Sequence, residues 1–461
     1  MNRVTKRTWL MSLFVMILVG GMVLFLVDYW NNADVWVSSP GSPHVFRHAN
    51  LSVGTVTDRS GTILLDLSGE RTYASSDLTR KATLHWLGDR NGNIHASAVS
   101  NYAGAMVGFD PVNGIYNSGD MAGVTTLTLS SKVQNTALEA LAGRKGTVAV
   151  YNYETGEILC AVTAPTFDPD NEPDMALDTS DTYEGVYLNR FTQSSYIPGS
   201  IFKVVTTGAA LECVDDIQNM TFRCTGIIEY GEGENIATVT CGVPHGNQSL
   251  KAALANSCNC AYAQIAELIG KENMIKYVEK YQVTQPVQFD GITTAKGNYD
   301  INRTAPVSFA WSCIGQHTNT VNPATFMTFM GAVARGGQGV KPYIVSTVTC
   351  GDEVTYQAEP ITGERIMSRE TAEILKAYMR GAVINTYGDW NFPGFTVCAK
   401  SGTSQLGGDK ISNAMFAGFV SDPEYPLAFM VVVENGGYGS SACIPILSKV
   451  LDACRSVLDT K

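Results

Sequence analysis

Between Thr8 and Val27 the chain reads TWLMSLFVMILVGGMVLFLV, twenty residues without one charged side chain. At about 1.5 Å of rise per residue this stretch spans about 30 Å, the hydrocarbon thickness of a bilayer. A buried core helix would carry a polar face on some turn, and none is present. A cleaved leader would have a shorter apolar run followed by a small-residue cleavage site, and neither is found. The segment therefore reads as an uncleaved signal anchor over residues 8–28. Arg3, Lys6 and Arg7 precede it, which keeps residues 1–7 in the cytoplasm and puts everything after Asp28 on the outer side of the membrane. Trp9, Tyr29 and Trp30 fall where interfacial aromatics belong.

The 461 residues exceed the usual size of one core, so two folded domains are expected beyond the anchor. The net charge is −11, and no run of Lys or Arg follows the extreme N-terminus, which argues against nucleic acid as a partner. SSPGSP (38–43) reads as a spacer. From there to residue 145, short strand-like runs alternate with turns. GTVTDRSGTILL is one example, and GVTTLTLSSKVQNTALEAL passes from a strand period into an amphipathic helix. This gives an outer domain over 29–145 and a second over 146–461. The second opens with GTVAVYNYETGEILCAVTA, two apolar runs joined by a YETG turn, a hairpin signal. Helical patterns fill its middle (SIFKVVTTGAALEC, SLKAALANSCNCAYAQIAELIG, SRETAEILKAYMRGAVI), and strand patterns return in AMFAGFVSD and YPLAFMVVVENGG before a last helix. Early and late strands with helices between predict an α/β domain, an antiparallel sheet flanked by helices.

Eleven cysteines, an odd count, leave at least one thiol unpaired. Several, such as Cys160 in EILCAVTA, read as small buried hydrophobes. Cys224 and Cys241 flank a glycine-rich segment and are the best disulfide candidates. Zinc is not expected, because there is no paired CxxC and CNC alone is a weak signal. The histidines are scattered, and His245 reads as structural.

Three short stretches carry chemistry. In SSYIPGSIFKVV (194–205), a Pro-Gly turn places Ser200 at a helix start and Lys203 one turn on, with both side chains on one side. A serine hydroxyl needs a neighbour to take its proton, and a lysine serves only when neutral, in an apolar setting or beside a second cation. Taken alone, the pair is equally a capping serine and a surface lysine. Ser257-Cys258-Asn259 breaks a helical pattern, as a capped helix break also would. Lys400-Ser401-Gly402-Thr403 ends a strand-like run with a cation, hydroxyls and a glycine that permits close backbone approach.

Taken together, Ser-x-x-Lys, Ser-x-Asn and Lys-Ser-Gly in this order form the signature of penicillin-recognising serine enzymes. The chain resembles the class B penicillin-binding proteins, monofunctional peptidoglycan D,D-transpeptidases, and most of all the compact penicillin-binding protein A group. Residues 54–65 resemble the family's juxtamembrane pedestal, 146–170 the opening of its transpeptidase domain, and 314–337 and 414–420 later family segments. With no region left over for a glycosyltransferase, the bifunctional class A alternative is disfavoured. Two departures stand out: His317 follows Gly-Gln where the family usually has glycine, and Ser401 replaces the commoner threonine.

The resemblance implies a mechanism. Ser200 attacks the penultimate D-Ala carbonyl of a stem peptide, Lys203 takes its proton, and Ser257 passes a proton onward. Lys400 keeps the site positive, and Asn259 orients the substrate amide. The N–H groups of Ser200 and Thr403 form the oxyanion hole, and Lys400, Ser401, Gly402 and Thr403 hold the terminal carboxylate. β-Lactams mimic D-Ala-D-Ala and stall the acyl-enzyme. No metal or organic cofactor is needed. A polytopic glycan polymerase is the implied partner. The competing readings are a carboxypeptidase, a β-lactamase-like hydrolase, and a silent scaffold or sensor. Cys258 and Cys260 flank the second motif, so oxidation there is expected to disturb the site.

Overall fold

The computed structural model describes residues 2–37, 39, 42, 45–47, 50–107, 123–175, 180–232, 236–405, 407 and 410–460. The apolar span lies in one helix, α1 (Asn2–Val37), which contains an 18-residue window of mean hydropathy 2.8 and is long and apolar enough to cross a membrane. The spacer read at 38–43 falls mostly outside the described residues.

Two sheets organise the rest. In chain order their strands begin with β1 (Thr55–Thr57), β2 (Ile63–Asp66), β3 (Thr72–Tyr73) and β4 (Val124–Leu127). Then come β5 (Gly146–Asn152), β6 (Ile158–Ala164), β7 (Val345–Cys350) and β8 (Glu353–Gln357). The last three are β9 (Val397–Ser404), β10 (Asn413–Val420) and β11 (Leu427–Val433). The first sheet has the order β8-β7-β4-β1-β2-β3, with β1 and β4 parallel. It crosses the boundary read at residue 145, because β7 and β8 come from far along the chain. The second sheet, β9-β10-β11-β5-β6, is antiparallel throughout.

Every residue of β6, β10 and β11 is buried. Alternate side chains of a strand face opposite ways, so an unbroken apolar run requires both faces of this sheet to be covered. On one face lie α2 (Ser131–Leu141), capped by Ser130 Oγ, and the C-terminal helix Gly439–Leu458, which meet Val148, Val150, Phe416 and Val431. The other face meets a helical block through Ala149, Tyr151, Ala417 and Met430. That block contains α3 (Lys203–Cys213), α4 (Asn259–Ile269), α5 (Pro323–Ala334) and α6 (Arg369–Ala382). We label the C-terminal helix α7. The β5–β6 turn follows the YETG signal: Asn152 Oδ1 accepts the Glu154 and Thr155 N–H groups, and Gly156 adopts φ +91°. Two small ribbons stand beside α4, one pairing Thr221–Cys224 with Gly246–Ser249 and the other Ile227–Tyr230 with Ala237–Thr240.

Candidate active site

The Pro198-Gly199 turn brings the start of α3 against strand β9. Gly199 adopts φ +57°, and a Cβ there would stand 2.6 Å from the Thr403 carbonyl oxygen. A Cβ on Gly402 would meet Pro198 O at the same distance. Only glycine on both sides permits this approach. A 3₁₀ turn, Gly199–Phe202, then presents Ser200, half-buried, one turn before Lys203, which is wholly buried.

Lys203 Nζ has four oxygen neighbours. Ser257 O and Asn259 Oδ1 are both at 2.7 Å, Ser200 Oγ at 3.0 Å and Ser257 Oγ at 3.2 Å. The two nearest are carbonyl oxygens, which only accept. A neutral amine offers two N–H bonds and one lone pair. With the N–H bonds given to those carbonyls, the lone pair faces hydroxyls that can donate to it. Burial holds the Lys203 pKa well below its ordinary value, and the Lys400 charge lowers it further. The Tyr262 ring lies 5.4 Å from Nζ.

Ser257 occupies the break between the helix Leu250–Ala255 and α4, at φ +53°, a left-handed conformation that costs a non-glycine residue on the order of 1 kcal/mol. Its hydroxyl lies between two amines, because Lys400 Nζ donates to it at 3.0 Å. Lys400, also wholly buried, donates further to Ser401 O at 2.9 Å and to the Tyr387 hydroxyl at 3.2 Å. Burial pushes the Lys400 pKa down to about 7.

The structure thus brings Ser200, Lys203, Ser257, Asn259, Lys400, Ser401, Gly402 and Thr403 together. The orientation of Ser401 differs from the reading as a carboxylate holder: its Oγ and N–H both donate to Tyr387 Oη at 3.0 Å. Thr403 Oγ1 accepts the N–H of Gly439, at the start of α7. The Gly315-Gln316 segment joins the first and third motifs, with Gly199 N donating to Gly315 O (2.8 Å) and Gln316 Nε2 to Thr403 O (3.1 Å). His317 adopts φ +70°, a conformation that glycine takes without strain.

Sequence reasoning missed Tyr387 and Tyr262. Tyr387 ends a π turn, Val383–Tyr387, after α6, and nothing in INTYGDW announces a partner for a lysine. The disulfide candidate is corrected. Cys224 and Cys241 remain thiols, and the Sγ atom of each faces His245 Nδ1 instead of the other cysteine. Zinc was not expected from the spacing, yet Cys224, Cys241, His245 and Cys258, a set that could hold a metal ion, converge beside the Ser257 turn.

The family model of the penicillin binding protein transpeptidase domain matches residues 146–452. Among curated proteins, stage V sporulation protein D of Bacillus subtilis is 28% identical over 351 residues, 70% of this chain and 52% of that protein. The peptidoglycan D,D-transpeptidase PbpA of Mycolicibacterium smegmatis is 26% identical over 339 residues, 68% of each. The chain therefore spans about half the length of the first and about two thirds of the second. Penicillin-binding protein A from M. tuberculosis, in its penicillin G acyl-enzyme complex, superposes with a TM-score of 0.75 at 21% identity, over 88% of this chain and 99% of that one.

Proposed function

The chain belongs to the penicillin-binding-protein transpeptidase family, with class B proteins of the penicillin-binding protein A kind among its relatives, and on that premise we propose that it is a membrane-anchored peptidoglycan D,D-transpeptidase. The observation that carries the proposal is the Lys203 amine, buried beside Ser200 Oγ with two carbonyls to take its N–H bonds.

In this mechanism Lys203, neutral before reaction, accepts the Ser200 proton as Oγ attacks the penultimate D-Ala carbonyl of a stem peptide. The developing oxyanion is received by the backbone N–H groups of Ser200 and Thr403, donors of a kind worth about 3 kcal/mol of barrier. The tetrahedral intermediate collapses, the C–N bond to the terminal D-Ala breaks, and the leaving amine takes a proton relayed through Ser257. Asn259 orients the substrate amide. Lys400 keeps the site positive and, with Gly402 and Thr403, binds the terminal carboxylate, while Ser401 is held by Tyr387. An amine from a neighbouring stem then attacks the acyl-serine and restores the hydroxyl. A β-lactam acylates the same serine. Helix α1 anchors the protein, with residues 1–7 cytoplasmic, 8–28 in the membrane, 29–145 a pedestal and 146–461 the catalytic domain outside. A polytopic glycan polymerase is the partner that would supply nascent strands.

The test is to incubate the full chain in mild detergent with penicillin G and weigh it by mass spectrometry. A stable adduct of one penicillin, absent in Ser200→Ala, is expected. Rapid release of hydrolysed drug would convert the reading to a hydrolase, and no adduct in either protein would end it.

A further inference from the structure

Cys224 ends one ribbon strand, and His245 directly precedes the strand paired with it. Cys241 follows the last strand of the second ribbon, and Cys258 caps α4. Their three sulfurs and the imidazole nitrogen all lie within 4.8 Å of one another. His245 Nδ1 is 3.6 Å from Cys224 Sγ and 3.4 Å from Cys241 Sγ, and Cys241 Sγ is 3.9 Å from Cys258 Sγ. A tetrahedral zinc, with bonds of about 2.3 Å to sulfur and about 2.0 Å to nitrogen, has S···S edges of about 3.8 Å and S···N edges of about 3.5 Å. These three spacings fit those edges, and the Cys241–Cys258 separation is far from the S–S bond of about 2.05 Å in a disulfide.

We propose that Cys224, Cys241, His245 and Cys258 form a tetrahedral zinc site whose occupation fixes the Ser257–Asn259 turn of the active site.

The surroundings are those of a metal site. Backbone N–H groups of Gly226 and His245 point at the Cys224 sulfur, and those of Asn259 and Cys260 at the Cys241 sulfur, as the outer partners of zinc thiolates do. Three thiolates and an imidazole select a soft or borderline cation over magnesium or calcium. Four protein ligands leave no open position for water, so the role is structural. The site also has something to hold, since a two-stranded ribbon is marginal by itself and two of them meet α4 here.

The link to the catalytic turn is short. Cys258 lies between Ser257 and Asn259 in sequence. Asn259 bonds Lys203 through Oδ1, and through Nδ2 donates to Thr240 O, next to Cys241. A metal that ties Cys258 to Cys241 thereby closes a ring through Asn259 and sets where its amide and the Ser257 hydroxyl stand. Loss of the metal frees one side of that ring. Metal binding is independent of the proposed reaction, whereas its effect on acylation rests on that reading.

The experiment is elemental analysis of the full chain, purified in detergent without chelator, followed by stripping and reconstitution with cobalt. About one zinc per chain is expected, and the cobalt form should show visible absorption of a tetrahedral ion with a thiolate charge-transfer band. His245→Ala should lose zinc at chelator concentrations that spare wild type, by about tenfold or more, while His245→Cys, which restores a fourth ligand, should keep it. Stripping should slow acylation by penicillin G on the order of 10²-fold, and zinc should restore it. Less than about a tenth of a zinc per chain together with a featureless cobalt spectrum overturns the site, as does a Cys224–Cys241 disulfide found by alkylation. Zinc present with acylation unchanged on stripping overturns the coupling to the turn. Zinc present in a chain that penicillin never acylates leaves the metal site standing and removes the transpeptidase reading.

Discussion

The two buried lysines are a matched pair with different neighbours. Lys203 stands on a helix and faces two carbonyl oxygens and two serine hydroxyls. Lys400 stands on strand β9 and faces one carbonyl, one serine and the Tyr387 phenol. Among the described residues, Ser257 Oγ is the only oxygen to which both amines hydrogen-bond. The contrast separates two tasks. Lys203 has its N–H bonds occupied by groups that cannot give a proton back, which suits a base. Lys400 is held in a chain of hydroxyls, which suits a cation that tunes its neighbour and meets an anion.

The largest expected effect breaks the pair at Lys203. On the proposed mechanism Lys203→Ala removes the base of the Ser200 hydroxyl, and acylation by penicillin should fall by four orders of magnitude or more. The second-order rate constant for adduct formation measures it. A fall of less than tenfold would hand the base role to another group.

Lys400→Met comes next, with an expected loss of about 10²–10⁴-fold in acylation, the usual scale for one positioned proton-handling group. Stability responds separately. The pKa of Lys400 in the fold is about 7, against about 10.4 in an unfolded chain. The unfolded state therefore binds more protons between these values, and stability rises with pH across that window. Below about pH 7 both states are protonated and the burial cost is felt in full. Wild type should gain stability relative to Lys400→Met between about pH 7 and 10, as read by denaturant titration at each pH. A flat difference would mean that Lys400 is not held as a depressed amine.

The five-stranded sheet was legible because residues such as Val148 to Val150 are apolar on both faces, a pattern that local sequence reports directly. The three motifs were legible because each is a local turn or helix start. Their meeting point was not, because it depends on tertiary approach: Gly199 against Thr403, and Asn259 against Lys203 across 56 positions of chain. Tyr387 reaches the site only through a π turn, which carries no period of its own. The Cys/His cluster was hidden for the same reason. Its four members come from separate element ends, so spacing along the chain showed no metal pattern, and proximity to a glycine-rich stretch suggested a disulfide that the free thiols do not form.

Tyr387→Phe sharpens the comparison without removing either amine. It deletes the acceptor shared by Lys400 Nζ, Ser401 N and Ser401 Oγ, leaving buried donors short of a partner at a cost of about 1–3 kcal/mol. Acylation should fall by roughly 10–100-fold, with substrate carboxylate binding affected more than the chemical step. Unchanged kinetics would show that Ser401 and Lys400 find water or each other equally well.

The smallest effect concerns the seam that joins the two lysines' elements, where Gly315 O and Gln316 Nε2 bridge Gly199 and Thr403. His317 follows at φ +70°, with Nδ1 bonded to Thr318 Oγ1 at 3.1 Å. His317→Gly relieves a left-handed backbone that costs a residue with a Cβ about 1 kcal/mol or more. Glycine also adds freedom to the unfolded chain, worth about 0.5–1 kcal/mol in the other direction. The opposing effects leave a net gain below about 1 kcal/mol, a rise in Tm of no more than a few degrees by roughly the usual conversion. Acylation should stay within about twofold of wild type, since the bridging atoms belong to Gly315 and Gln316. A marked fall in Tm would mean that the imidazole contact with Thr318 outweighs the strain.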